Sequence, residues 1–349
     1  MRITRRDFLR CCLASAVALG LEASTIGLLK KALASGVDLP IIWLNASACT
    51  GCTVSLANLS VTSKGTGEHD HSLTTSAAVS GPADIADLLL NTIHLAYNTT
   101  LMGAAGELAV QTLHHHTAGK FILIVEGGIP TLFDGQTCIL WSENGREVTA
   151  LEAIRRLAPK AQHVISVGSC SSFGGYPGAE PNPTGIKSVE VVSGVKTINI
   201  AGCPPHPDWI VGVISQLLVG QMPALDAYGR PTAYFGANIH HNCPRKHNPW
   251  ASSFGLQEDD CLNDLGCKGR QTNSTCPTLK WNGGTNWCVG AGGICIGCTS
   301  PGFPDNRSPL FSSIGATPPD MHPVVEERCT SCHASNPCAE AGMEVEVTH

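Results

Sequence analysis

Charge and aromatic character are both scarce. Charged residues make up 14% of the chain and aromatics 5%, and 22 Lys and Arg stand against 28 Asp and Glu. Phosphate contact needs clustered Lys and Arg, so the lack of a basic excess excludes nucleic-acid binding. Low charge combined with 43% hydrophobic residues excludes global disorder, which requires weak hydrophobicity and strong self-repulsion. No uninterrupted apolar run reaches the ~20 residues of a membrane-spanning helix, so no transmembrane anchor is expected in the mature chain. No GxxxxGK(S/T) phosphate loop occurs, which leaves nucleotide hydrolysis unsupported. At 349 residues the chain has material for about two domains. It can build a core without disulfide staples, which excludes a small disulfide-knitted module.

What is abundant is cysteine: 17 residues, with 14 His, 37 Gly and 22 Pro. The first 34 residues read as an address. Arg5-Arg6 precede the apolar run CCLASAVALGL, and Ala32-Leu33-Ala34 stand ahead of Ser35. A basic segment, a short apolar stretch and a small-x-small cleavage site make a twin-arginine signal peptide, the route for folded cargo. Glu22 and Lys30-Lys31 interrupt the run, against a membrane anchor. The segment holds six of the basic and two of the acidic residues, so the mature chain is near −10. A periplasmic location oxidises thiols, which makes disulfides the default for each cysteine pair. Export in the folded state, however, suits a cofactor inserted before translocation.

From about Leu39 to Gly220 short β-rich runs alternate with helical stretches. IIWLNAS (41–47), FILIVEGG (121–128), HVISVGS (163–169) and VKTINIAG (195–202) read as buried strands. Residues 83–97, 150–161 and 208–220 carry apolar side chains at helical spacing. The fold class predicted is α/β, a doubly wound parallel sheet. After about Tyr228 the texture changes to Gly, Pro, Asn and Cys with almost no strand signal. Residues 236–305 cannot bury enough apolar surface to order themselves unaided.

Three of these strands lead to cysteines: 41–47 to Cys49 and Cys52, 163–169 to Cys170, 195–202 to Cys203. Ligands in open α/β sheets gather at the carboxyl ends of strands. Four thiolates converging there suit zinc or an iron–sulfur cluster. The second half supplies His240 and Cys243, then Cys261, Cys267, Cys276, Cys288, Cys295 and Cys298. Two four-ligand sites are the simplest partition, one with an imidazole and three thiolates, the other with four thiolates. Binding there would be folding free energy, replacing hydrophobic burial as the organising force. His241 adjoins His240, and only the three-residue spacing to Cys243 favours His240.

WLNASACTGC, GSCSSFGG, PNPTG, AGCPPHPDWIVG, NIHHNCPRKH, CLNDLGCKG and NWCVGAGGICIGC together resemble the small, electron-transferring subunit of nickel–iron hydrogenases, over roughly residues 40–312. The resemblance implies a flavodoxin-like domain (35–228) followed by an irregular, mostly loop and helix cluster domain (229–312), holding three iron–sulfur clusters in a row. It implies a proximal [4Fe–4S] cluster on Cys49, Cys52, Cys170 and Cys203, and a distal one on His240, Cys243, Cys261 and Cys267. Many relatives hold a [3Fe–4S] medial cluster and have proline where this chain has Cys288. Four thiolates can hold a complete cube, so a [4Fe–4S] medial cluster on Cys276, Cys288, Cys295 and Cys298 is expected. That feature, Thr53-Val54-Ser55 and the CPPHPDW run are closer to the nickel–iron–selenium branch. Gly51 and Gly175 stand where oxygen-tolerant relatives carry extra cysteines. Also implied are a large-subunit partner holding the nickel–iron centre and splitting H2, and a c-type cytochrome as acceptor.

Several residues stand apart. Cys138 is expected to be a structural thiol. The tail 313–349 carries Cys329, Cys332 and His333 in a CxxCH, the attachment pattern of c-type haem. A disulfide, free thiols or another metal are its other readings. His114-His115-His116, and His69 with His71, read as polar surface clusters rather than metal sites. Two rival functions remain at this level: a cluster-bearing carrier related to the quinone-reducing respiratory complex, which predicts only the proximal set, and an exported disulfide-bonded binding protein.

Overall fold

The computed structural model describes residues 39–59, 93–218, 220–255, 259–282 and 284–311. The signal 1–34, the loop 62–72 with His69 and His71, the predicted helical residues 83–92, and the tail with Cys329, Cys332 and His333 lie outside the described residues.

Five parallel strands form the central sheet: β1 (Ile41–Asn45), β2 (Leu95–Asn98), β3 (Ile122–Glu126), β6 (His163–Val167) and β7 (Ile198–Ile200), in the order β2-β1-β3-β6-β7. Renumbered along the sheet this is the flavodoxin-like order 2-1-3-4-5, whose switch point lies between β1 and β3. The strands read as near-continuous apolar runs because helices cover both faces, and alternate residues go to opposite sides. Ile41, Trp43, Ile122, Ile124, Ile165, Val167, Ile198 and Ile200 bury on one face. Ile42, Leu44, Leu123, Val125 and Val164 bury on the other.

Helix α1 (Gly51–Ala57) and helix α6 (Pro207–Leu218) pack on the first face through Leu56, Trp209, Ile210, Val213 and Leu217. Helices α2 (Gly106–Thr117) and α3 (Ala150–Leu157) pack on the second through Val110, Leu113, Ala153 and Ile154. Two short helices complete this half, α4 (Ser169–Phe173) and α5 (Val189–Ser193). Thr149 accepts from the Glu152 N–H at 3.2 Å and caps α3. No helix among the described residues is long and apolar enough to cross a membrane.

Two local features depart from the sequence expectation. The helical period that runs through residue 97 gives way at its end, where Leu95–Asn98 pairs as an edge strand with β1 (Ile41 with Leu95, Ile42 with Tyr97). Tertiary pairing overrides a periodicity of that length. A two-stranded hairpin, β4 (Ile139–Glu143) and β5 (Arg146–Thr149), adds to the predicted strands. Its signal lies in the turn: Asn144 and Gly145 both take positive φ, 52° and 73°, the type I′ geometry that Asn-Gly favours.

In that hairpin Glu143 accepts from Arg156 Nη1 at 2.6 Å and Trp141 Nε1 at 3.1 Å, and bonds His114 Nε2 at 2.9 Å. The Arg156 hydrogen bond, foremost, holds its carboxyl down at about 2. The stabilisation is therefore complete above the unfolded carboxylate value of about 4.3 and is lost as pH falls toward about 2. Thermal unfolding of Glu143→Gln should show a deficit under about 1 kcal/mol at neutral pH that closes below pH 4. A pH-independent deficit would mean that packing, not charge, is at work.

Among the described residues beyond 228 the chain is mostly turns, with helices α7 (Thr232–Phe235) and α8 (Cys276–Leu279). Tyr234, Phe235, Ile239, Leu262, Trp287, Val289 and Ile294 bury in the same cluster as the first face of the sheet and Trp209. The segment borrows a core rather than building one.

Candidate iron–sulfur relay

The carboxyl end of the sheet gathers the first thiol set. Cys49 lies in the loop after β1 and Cys52 in α1; Cys170 lies in α4 after β6, and Cys203 in the loop after β7. Cys52 is buried and Cys170 half-buried, whereas Cys49 and Cys203 are exposed. Burial, foremost, pushes the Cys52 thiol well above its ordinary value, and Glu126, Cys170, Cys49 and Cys203 add to the rise. Cys170 is pushed up to about 12 by burial and then by Cys203 and Cys49. Burial likewise raises Cys203; converging thiols that resist ionising suit a cation site, since bound iron stabilises each thiolate and releases its proton.

Close approach to these sulfurs requires glycine. A Cβ at Gly168, which sits at φ +95°, would come 2.6 Å from Cys52 Sγ, and one at Gly175, at φ +56°, would come 2.8 Å from Cys170 Sγ. Left-handed φ and contact under 3 Å both exclude a side chain. Gly168→Ala should therefore lose the proximal cluster, about four irons per chain, and metal analysis reads this directly; an unchanged iron count would show that the loop yields.

Glu126 ends a predicted strand with no role assigned by its sequence position, yet it organises this end. The carboxylate, 1% exposed, accepts from Cys52 N–H at 2.9 Å, Thr53 N–H at 3.1 Å, Trp43 Nε1 at 3.0 Å, Asn45 Nδ2 at 3.0 Å and Thr53 Oγ1. An ionisable residue ending the run Phe-Ile-Leu-Ile-Val is the available signal, because buried carboxylates need partners.

The second set surrounds Gly269. A Cβ there would lie 3.6 Å from Cys267 Sγ and 3.9 Å from His240 N, and His240 N–H donates to the Gly269 carbonyl at 3.1 Å. Burial raises both Cys243 and Cys261, Cys267 adds to each, and Cys243 adds to Cys261. His240 is held down to about 4 by burial and then by Arg270, so it is a neutral imidazole at neutral pH, the form that ligates metal. His241 is exposed, whereas His240 is half-buried. The fold thus separates the two histidines that spacing alone distinguishes weakly.

The third set lies between the other two. Cys276 opens α8 and accepts from Ser274 Oγ at 2.9 Å; burial pushes it up to about 11, and Cys288 adds to this. Burial raises Cys295, which also feels Cys267, Cys298 and Cys276. Burial likewise raises Cys298, which feels Cys276, Cys288 and Cys203. Cys288 is exposed.

The sets touch end to end. The Cys203 backbone hydrogen-bonds the Cys298 sulfur, and Ser169 Oγ, which accepts from Gly202 N–H at 3.0 Å, donates to the Cys298 carbonyl. At the other junction Cys295 N–H donates to Cys267 Sγ at 3.4 Å. All twelve described cysteines are free thiols, Cys138 among them; it is half-buried and raised by burial, as a structural thiol would be. Among the described residues no three His, Cys, Asp or Glu close on one point as a single ion's ligands do; cluster thiolates instead sit on separate irons. The donor set, its mutual repulsion and the glycine clearances fit iron–sulfur clusters. His115 and His116 stack edge to face with centroids 4.9 Å apart at the end of α2, with no part in the relay.

Comparison with known proteins gives the family. Residues 71–217 match the family described as NADH ubiquinone oxidoreductase, 20 Kd subunit, and residues 235–311 match the family of the C-terminal part of NiFe/NiFeSe hydrogenase small subunits. The periplasmic [NiFeSe] hydrogenase small subunit of Desulfomicrobium baculatum is 37% identical over 334 residues, covering 89% of this chain and 99% of the relative. The periplasmic [NiFe] hydrogenase small subunit of Solidesulfovibrio fructosivorans is 36% identical over 319 residues, covering 88% and 93%. The crystal structure of a reduced, active form of the Ni-Fe-Se hydrogenase from Desulfomicrobium baculatum superposes with a TM-score of 0.68 at 38% identity, covering 79% of this chain and 99% of that one. With both halves matched and the identity sustained over nearly the whole of such a relative, the chain belongs to the small-subunit family of NiFe/NiFeSe hydrogenases.

Proposed function

We propose that this chain is the electron-transfer subunit of a heterodimeric periplasmic hydrogenase and carries three [4Fe–4S] clusters. The proximal one would be held by Cys49, Cys52, Cys170 and Cys203, the medial by Cys276, Cys288, Cys295 and Cys298, and the distal by His240, Cys243, Cys261 and Cys267. The observation that carries this reading is the end-to-end contact of the three thiol sets, through Cys203 with Cys298 and Cys295 with Cys267. Such clusters, when bound, accept and pass electrons one at a time. The protein's part is to space them, exclude water and set their potentials.

Cys49 and Cys203 are exposed; exposed Tyr176 stands within reach of Cys203, and exposed Val54 lies in α1 beside Cys52. This is the face that the large partner would cover, bringing its nickel–iron or nickel–iron–selenium centre, where H2 is split, beside the proximal set. Electrons would leave through the distal set to an external acceptor such as a c-type cytochrome. Export by the twin-arginine route, cofactors already inserted, belongs to the same reading, and the CxxCH of Cys329, Cys332 and His333 is open to a disulfide, free thiols, a c-type haem or another metal, which the haem scan below separates.

Anaerobic purification followed by iron and acid-labile sulfide analysis tests it: about twelve irons per chain is expected. Cys288→Ala, which removes the fourth medial thiolate, should lower the count by about one. No iron would leave the disulfide reading, and about four would leave the respiratory-complex reading. Hydrogen-dependent dye reduction by the co-purified pair tests the reaction, and pull-down of the native complex with a haem scan tests the acceptor.

A further inference from the structure

The three thiol sets stand in unequal fields. At the proximal end the nearest fixed charge is Glu126. Its Oε1 lies 2.9 Å from the Cys52 nitrogen, and all its named partners are neutral donors, as an acceptor-only carboxylate requires. At the medial set the charge has the opposite sign. The Arg307 side chain, 7% exposed, lies against Gly297, one of the two residues between Cys295 and Cys298. A Cβ on Gly297 would come 2.9 Å from Arg307 Cδ and 3.0 Å from its Nε. Arg307 Nη2 donates to the Gln271 carbonyl and Nη1 to the Asn306 carbonyl, each at 3.1 Å, fixing the guanidinium under the ligand loop.

Lys268, also 7% exposed, stands where the medial and distal sets meet. The Lys268 N–H donates to the Cys295 carbonyl at 2.7 Å, but its Nζ donates to the Pro309 carbonyl at 3.3 Å and its charge acts on Cys267 of the distal set, so Arg307 is the cation of the medial set. A guanidinium remains charged at any working pH. Charges in buried surroundings are weakly screened, so each acts on its neighbour far more strongly than at the surface.

We propose that these fixed charges make the first two potentials unequal: Glu126 holds the proximal cluster at lower reduction potential and Arg307 holds the medial cluster at higher potential, so the first step of the relay runs from proximal to medial. The inference rests on the three-cluster reading above. Adding an electron makes a cluster more negative, which an adjacent cation favours and an adjacent carboxylate opposes. In the step between them one electron leaves the proximal cluster, which is oxidised, and enters the medial cluster, which is reduced; no proton or bond is required.

The test is a redox titration of the intact heterodimer followed by paramagnetic resonance. The wild type should show the medial midpoint above the proximal one. Arg307→Met should shift the medial midpoint downward and leave the proximal one in place, whereas Arg307→Lys should keep the wild-type order. If Arg307→Met fails to assemble, Arg307→Gln, which removes the charge but keeps a side-chain donor for the Gln271 or Asn306 carbonyl, gives the same downward shift. A medial midpoint at or below the proximal one, or charge-removing variants that move neither, overturns the grading. Fewer than three cluster signals would instead overturn the relay reading itself.

Discussion

Glu126→Ala should empty the proximal site and destabilise the whole α/β half. The carboxylate is the common acceptor for two backbone amides, an indole, a carboxamide and a hydroxyl, all drawn from β1 and the start of α1. Truncation leaves these donors buried without a partner, and each such donor costs about 1–3 kcal/mol. Even if water satisfies most of them, a loss of about 3 kcal/mol or more is expected. The consequence for the site is geometric. Cys52 and Thr53 are placed by donating their N–H groups to this carboxylate, so without it α1 is free to shift and the first two ligands lose register with Cys170 and Cys203. Metal analysis should find about four irons missing, and denaturant unfolding should read the destabilisation. Glu126→Gln, which keeps the volume but turns an NH2 toward the donors, should be intermediate. A Glu126→Ala protein with full iron and unchanged stability would remove this residue from the account.

Removal of iron should have the largest effect of all, and an uneven one. The second face of the sheet is built from Ile42, Leu44, Leu113, Phe121, Leu123, Val125 and Ile154 with their neighbours, and no described residue beyond 228 contributes to it. The first face is shared with Tyr234, Phe235, Ile239, Leu262, Trp287 and Ile294. Those residues sit on turns whose positions are fixed by cysteines, and buried thiols that repel one another as anions cannot replace the metal. Anaerobic chelation should therefore release amide protection across residues 236–305. Helices α2 and α3 and the β4–β5 hairpin should remain protected. Hydrogen exchange read by mass spectrometry separates the two outcomes. Equal loss in both halves would show that the shared face, rather than the clusters, holds the molecule together. Full retention would show that the segment folds on its apolar contacts alone.

Much of this architecture is legible in the sequence. The β-branched runs at 41–47, 121–128, 163–169 and 195–202 each contain a strand, because a run buried on both faces tolerates little but apolar residues. The edge strand Leu95–Asn98 and the hairpin are harder. The first lies at the end of a segment with helical period, and the second is a satellite whose only strong mark is Asn144-Gly145. In the site, cysteine spacing names the candidate ligands, since thiols have few other reasons to recur beside glycine in an exported chain. Glu126, Ser274, Lys268 and Arg307 carry no comparable mark. Their significance comes from what lies beside them, and residues 74, 2, 27 and 10 positions away from the cysteine or glycine they touch share no local pattern.

By itself the sequence determined the class of fold, the residues available as ligands and the need for something beyond apolar burial after residue 228, because composition and periodicity are local properties. Only the tertiary structure decided that Cys203 meets Cys298, that Cys295 meets Cys267, and which cations and carboxylate stand beside each set. Those relations are through-space: they depend on which loops emerge at the same end of the sheet, and electrostatic energy depends on that distance and burial rather than on separation along the chain.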